Sequence, residues 1–286
     1  MSTAAIRVHD LTVKYPLADK PALNRISFEI QKGEMIGVIG PCLSGKTTLC
    51  LCLKGLIPHM VTALMEGTVE IEGIDTRTSK VPELAKKVGM VLDDPEAQLT
   101  QLTVKEEIAF GLQNLGVPRD EIEKRVVEMI DLVGLNGLED RAPIDLSGGQ
   151  QQRLSIGSVL AMYPDVLVLD EPTSNLDPIG KEEVFRVLWN LKREKRMTIV
   201  VVENDVERLA VFADRIVFLS EGEIAATGPP SRVFNEIDLL ESKGENTPQV
   251  TTLCSRIKRN RQWPWPTLPT NLKEAHERIA ELYEAR

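Results

Sequence analysis

Polar and apolar residues alternate through the first thirty positions. Ile6 and Val8, then Leu11, Val13 and Tyr15, then Ile26, Phe28 and Ile30 take every second place, with mostly polar neighbours between them. A period of two hides one face of each segment and predicts half-buried, antiparallel strands. Gly33 and Glu34 make a turn, and 35–39 is then almost continuously apolar, as in a strand covered on both faces. Alternation resumes at Val69 and Ile71, and 88–92 is another apolar strand. The period then lengthens. Val104, Ile108, Leu112 and Leu115, followed by Ile122, Val126, Ile130 and Val133, recur at helical spacing, with Gly116-Val117-Pro118 between the two groups. Residues 95–160 therefore read as a helical insertion. Beyond 165, apolar strands at 166–169, 199–202 and 216–219 alternate with helices predicted over 182–192 and 206–213. That alternation predicts a largely parallel sheet. A short helix is predicted at 233–240.

The chain has 286 residues, 42% of them hydrophobic, enough for one large domain and an appendage. We place the domain at 1–242 and a C-terminal extension, a linker followed by a helix, at 243–286. The net charge of −9, from 34 basic and 43 acidic residues, argues against a nucleic-acid partner. No apolar run approaches the roughly 20 residues that span a bilayer. Residues 1–7 lack the basic start and long apolar stretch of a signal peptide. The expected location is the cytoplasm or, for a chain serving a membrane, its cytoplasmic face as a peripheral subunit. Cys42, Cys50, Cys52 and Cys254 show no zinc spacing and are expected to be reduced, buried or semi-buried thiols.

Three strings carry chemistry. Gly40, Pro41, Cys42, Leu43, Ser44, Gly45, Lys46 and Thr47 fit G-x-x-x-x-G-K-[ST] between a predicted strand and a predicted helix. In that context backbone N–H groups and the helix N-terminus face phosphate oxygens. Lys46 reaches the β- and γ-phosphates, the Thr47 hydroxyl ligates Mg²⁺, and Thr48 completes the set. Next, the strand 166–169 ends in Asp170 and Glu171, at the carboxyl edge where parallel sheets bind ligands. There Asp170 would hold Mg²⁺ and Glu171 would polarise an attacking water. Third, Leu146 is followed by Ser147, Gly148, Gly149 and Gln150 just before a helix predicted from about 151. Small residues at a helix start suit close approach to an anion, although the same string also suits a plain serine cap.

In this order, with the helical stretch between the first and third strings, the sequence resembles the ATP-binding-cassette ATPases over about residues 5–235. Pro172-Thr173-Ser174-Asn175-Leu176-Asp177 and Val202-Glu203-Asn204-Asp205 extend the match. The resemblance implies an α/β P-loop NTPase fold: a mainly parallel core sheet, an antiparallel β subdomain and an inserted helical subdomain. It also implies Mg-ATP as ligand and an ATPase working as a dimer of cassettes, head to tail, with two nucleotides sandwiched between them. On this basis Tyr15 stacks on adenine, Ser147, Gly148 and Gly149 meet the γ-phosphate held by the opposite cassette, and Asp177 crosses the dimer interface. A second cassette, identical or different, and an integral membrane transporter subunit are the implied partners. The groove receiving the membrane subunit lies near 93–104, with Gln98, Leu99 and Leu102 as expected contacts. A narrower resemblance rests on 55–59, 94–99, 104–111 and 268–275. These look like the ATPase subunits of energy-coupling-factor importers of vitamins, cobalt or nickel. The alternatives are a non-transport cassette ATPase and a low-turnover ATP-binding regulatory subunit.

Three positions depart from the family pattern. Leu43 stands where glycine is usual, Asp93 where the Q-loop glutamine is usual, and Asn204 where the H-loop histidine is usual. A leucine in a left-handed backbone costs roughly 1–2 kcal/mol. An acid at 93 can ligate Mg²⁺ but also faces phosphate. At about 4 Å two like charges repel by about 4 kcal/mol at an effective dielectric near 20, and Mg²⁺ offsets much of that. Asn204 is shorter than histidine yet still donates a hydrogen bond. The expectation is a chain that binds ATP, turns it over slowly at its own phosphate loop, and lends its intact Ser147–Gln150 segment to a partner's site. Downstream, 256–266 mixes basic residues with two tryptophans. It reads as a linker with locally packed rings, and its composition also suits anionic headgroups.

Overall fold

A computed structural model describes residues 4–260 and 266–284. Among them ten strands form two sheets: β1 (Ala4–Lys14), β2 (Leu23–Gln31), β3 (Met35–Ile39), β4 (Leu64–Ile71), β5 (Ile74–Asp75), β6 (Val88–Val91), β7 (Val166–Asp170), β8 (Thr198–Val202), β9 (Arg215–Ser220) and β10 (Glu223–Gly228). The four-stranded sheet runs β2-β1-β4-β5 and is antiparallel. The six-stranded sheet runs β10-β9-β3-β8-β7-β6, parallel except at its β10 edge. This is the mixed α/β architecture expected, with its parallel core and antiparallel subdomain.

The change of phase between Val8 and Leu11 has a structural cause. β1 is one strand, and its register with β2 shifts between Val8 and Leu11 while Asp10 takes a left-handed backbone (φ 45°). The bulge turns Leu11 and Val13 back into the core, where both are fully buried. β3, β7 and β8 bury every residue, so they read as unbroken apolar runs. Their two faces serve different layers. Ile36, Val38, Val168 and Val200 pack with the helix Lys46–Lys54 beneath the antiparallel sheet. Met35, Ile39, Leu167 and Val201 pack with the helices on the other side.

Those helices include the insertion: Val104–Asn114, Arg119–Leu132 and Gly148–Leu160. Val104, Ile108 and Leu112 turn inward, as the spacing predicts. Arg153 fixes the third helix in place. Its guanidinium donates to the carbonyls of Val133 (2.7 Å) and Gly134 (3.0 Å) and meets Glu183 of the helix Pro178–Lys195 at 3.1 Å.

Several elements differ from the sequence reading. The helix after Leu146 begins at Gly148, because Ser147 caps it. The helix expected at 233–240 is two, Pro230–Val233 and Ile237–Ser242. Between them the Asn235 side chain receives the Leu268 N–H (2.7 Å) and donates to the Leu268 carbonyl (3.1 Å). The extension holds a helix, Gln249–Asn260, where only a linker is expected, and then Leu272–Glu284. Val250, Cys254, Leu268 and Ala275 form its small core with Ile237. The tryptophans of the 256–266 stretch, Trp263 and Trp265, lie outside the described residues. Cys50, Cys52 and Cys254 are buried, but Cys42 is exposed. No helix among the described residues is long and apolar enough to cross a membrane.

Candidate active site

The carboxyl edge of the parallel sheet gathers the expected residues. β3 ends at Ile39 and the phosphate loop leads into the helix Lys46–Lys54. Two glycines are obligatory there. At Gly40 (φ 152°) a Cβ would stand 2.2 Å from the Leu219 carbonyl oxygen, and at Gly45 (φ 105°) it would stand 2.4 Å from that of Ala22. Gly45 is also the N-cap and offers no side-chain cap. The first helical N–H groups are thus left for an anion. Lys46 is buried, its ammonium held by the carbonyls of Gly40 (2.6 Å) and Pro41 (3.2 Å). Tyr15 reaches the same helix through a 3.1 Å hydrogen bond between its hydroxyl and that of Thr48.

Leu43 does occupy a left-handed backbone (φ 66°), with a completely exposed side chain. The strain is real and no packing compensates it. Leu43→Gly should therefore stabilise the fold, by about 0.5–1 kcal/mol once the extra freedom of glycine in the unfolded chain is deducted. A urea titration reads this directly, and an unchanged or lowered midpoint would count against the strain.

Asp170 closes β7 near the Thr47 hydroxyl. Burial raises its carboxyl above the usual range, the neighbouring Thr47 hydroxyl opposes this, and the charges of Glu171 and Asp93 add to the rise. Its Oδ1 is buried without a hydrogen-bond partner. A buried acid with an unused oxygen near a hydroxyl suits a divalent cation that also takes phosphate oxygens, although among the described residues no three His, Cys, Asp or Glu side chains gather to hold one by themselves. Glu171 stands just beyond β7 in a left-handed backbone (φ 48°), its N–H bonded to the Val202 carbonyl (2.9 Å). Strain of this kind collects at functional sites.

Asn204 lies beyond the end of β8, the neighbour of β7, and its side chain is exposed. Asp93 is exposed on the loop after β6. That loop is held from both sides at Leu92, whose N–H donates to Gln98 Oε1 (3.1 Å) and whose carbonyl accepts from Gln152 Nε2 (3.4 Å). Gln98 clamps this loop, and Leu99 packs against the core. Leu102 alone of the three is fully on the surface, at 81% exposure.

The Ser147 segment is a capping box. Ser147 Oγ accepts the Gln150 N–H (3.4 Å) and Gln150 Oε1 accepts the Ser147 N–H (3.0 Å). Both side chains are committed to the helix start, which leaves Gly148 to line a cleft with Asp93, Pro172, Asn175 and Leu176. Asp177 caps the next helix, accepting the Gly180 N–H at 2.7 Å. Glu203 and Thr173 were not singled out by the sequence, yet they bridge the two strand ends. Thr173 Oγ1 donates to Glu203 Oε2 at 2.6 Å, and both residues are buried. The available signal was a charged residue directly prolonging an apolar strand.

The ABC transporter family model matches residues 23–174. The chain is 42% identical over 99% of its length to an ABC transporter ATP-binding protein of Caldanaerobacter subterraneus subsp. tengcongensis. It spans about half (49%) of that relative. It is 39% identical over 88% of its length to the energy-coupling factor transporter ATP-binding protein EcfA of Methanothermobacter thermautotrophicus, covering 80% of it. Among solved structures, cbiO1 from Clostridium perfringens, part of the ABC transporter complex cbiONQ, superposes with a TM-score of 0.74 at 30% identity, over 90% of this chain and 98% of that one. A dimeric ATP-binding cassette in a post-hydrolysis state, bound to ADP and Pi, superposes at 0.69 with 28% identity, over 79% and 98%. With this site on this fold, the chain belongs to the ABC transporter family, as one of its ATP-binding cassettes.

Proposed function

We propose that this chain is an ATP-hydrolysing cassette that energises a membrane importer of the energy-coupling-factor type, paired with a second, unlike cassette. The observation that carries the nucleotide chemistry is the junction of the uncapped helix start at Gly45 with Asp170, a buried acid near Thr47 left with one unused oxygen. The loop amides and Lys46 bind the phosphates, the lysine exchanging two carbonyl partners for phosphate oxygens. Thr47, Asp170 and Asp93 would hold Mg²⁺, which when bound would neutralise phosphate charge. Tyr15 takes adenine. Glu171 orients the attacking water, and Asn204 donates to the γ-phosphate. Ser147, Gly148 and Gly149 complete the partner's site, and Asp177 lies at the cassette interface. Leu102 is the surface offered to the membrane subunit, with the chain peripheral on the cytoplasmic face.

Leu43, Asp93 and Asn204, the three departures from the family pattern, support the reading of unequal sites. Relatives about twice this chain's length leave room for a second unit of similar size in the same polypeptide. Phosphate release from Mg-ATP by the purified chain, beside Lys46→Ala, tests the reading. A native rate within about tenfold of Lys46→Ala supports a slow site. Rapid, equal turnover at both sites of a homodimer overturns it and makes the chain a self-sufficient motor.

A further inference from the structure

We infer that Glu203 is a positioning residue that aims Asn204 at the γ-phosphate by tying the end of β8 to the loop that follows Glu171. The inference rests on the reading of Asn204 as a γ-phosphate donor and adds how that donor is held. Glu203 is 2% exposed. Its Oε1 accepts the N–H of Asn204 (2.9 Å) and of Asp205 (3.4 Å), and its Oε2 accepts the Thr173 hydroxyl. The Asn204 carbonyl accepts the Val206 N–H at 3.0 Å. Asp205 caps the helix Val206–Phe212 through the Arg208 N–H at 3.2 Å. The backbone of Asn204 is therefore bound on both sides while its side chain projects into solvent.

Thr173 ties this corner to the acids. It lies two residues after Glu171 and is fully buried. The turn around it is closed by the Ser174 N–H on the Glu171 carbonyl (3.2 Å) and the Leu176 N–H on the Thr173 carbonyl (3.2 Å). That turn leads directly to Asp177. One buried carboxylate thus joins the strand end bearing Asn204 to the segment bearing Glu171 and Asp177. An acid is an expensive way to fill such a place. Burial raises its carboxyl above the ordinary value, and the bonds from Thr173, Asn204 and Asp205 and the charge of Lys181 oppose this. A neutral apolar residue would fill the space without that cost but would leave two backbone N–H groups and a hydroxyl without acceptors.

The test is equilibrium binding of Mg-ATP and Mg-ADP, which does not depend on turnover. Asn204→Ala should lower the ATP-to-ADP affinity ratio about tenfold, as loss of one hydrogen bond to a charged group does. Glu203→Ala should lower it by a similar factor with ADP affinity unchanged, and Thr173→Val by about threefold. Glu203→Gln, which keeps an acceptor oxygen, should retain most of the ratio. The double variant Asn204→Ala/Glu203→Ala should be no worse than Asn204→Ala, because both act through one contact. If Asn204→Ala lowers the ratio while Glu203→Ala and Thr173→Val leave it within twofold, or if the two losses multiply, the positioning role is overturned alone. If Asn204→Ala leaves the ratio intact, the γ-phosphate reading falls and the inference with it. Should Glu203→Ala fail to fold, Thr173→Val and Glu203→Gln decide.

Discussion

Asn204→His raises phosphate release from Mg-ATP by about 10²-fold, while the same change in a Lys46→Ala background raises nothing. The size follows from what one oriented donor is worth in a transition state, about 10²–10³ in rate. In the proposed role Asn204 would donate from the end of a short side chain, and histidine extends the donor further from the same Cα. The backbone at 204 is secured by Glu203 on one side and Val206 on the other, so the substitution changes reach without moving the corner. The side chain is exposed, so the larger ring displaces no packing. Glu171, which we propose orients the water, stands at the adjoining strand end. A colorimetric phosphate assay with the three proteins side by side checks the prediction. An unchanged rate in Asn204→His would place the limit elsewhere, with Asp93 the next residue to exchange for glutamine.

The parts of this molecule that the sequence made legible are those governed by local periodicity or by an uninterrupted string. β3, β7 and β8 were legible because a strand covered on both faces must be apolar throughout. The insertion was legible because Ile108 and Leu112 lie one turn apart on a buried face. The phosphate loop was legible because its glycines have no substitute, as the contacts of a Cβ at Gly40 and Gly45 demonstrate. What escaped depends on partners that local periodicity does not reveal. Gln98 looks like any surface amide until the fold brings Leu92 to it. Glu203 and Thr173 are thirty positions apart and meet only because β7 and β8 are neighbours. The helix Gln249–Asn260 was hidden by its composition. Two consecutive threonines, Thr251 and Thr252, are poor helix formers. Its inward residues Val250 and Cys254 gain their burial from Leu268 and Ala275, which lie outside the helix.

Arg153→Ala should cost about 3 kcal/mol of folding stability. Arg153 is buried, and its guanidinium joins three elements: the carbonyls at the end of Arg119–Leu132, the helix it belongs to, and Glu183 on Pro178–Lys195. Its removal strands the buried acceptor of Val133 and weakens that of Gly134, and each unsatisfied group costs about 1–3 kcal/mol. Glu183, about a third exposed, is rehydrated and adds little. Arg153→Lys should recover only part of the loss, because an ammonium cannot reproduce the fork that spans two carbonyls and a carboxylate. Urea unfolding followed by circular dichroism measures the loss, and a change under 1 kcal/mol would sink the bridging role. The functional consequence separates from the structural one. The phosphate loop and Asp170 stand on the parallel sheet, so ATP affinity of the folded variant should stay within about threefold of native. The helix that begins at Gly148 loses its tie to Glu183, so any step requiring Ser147 and Gly148 to be presented to a second cassette should weaken more than nucleotide binding does.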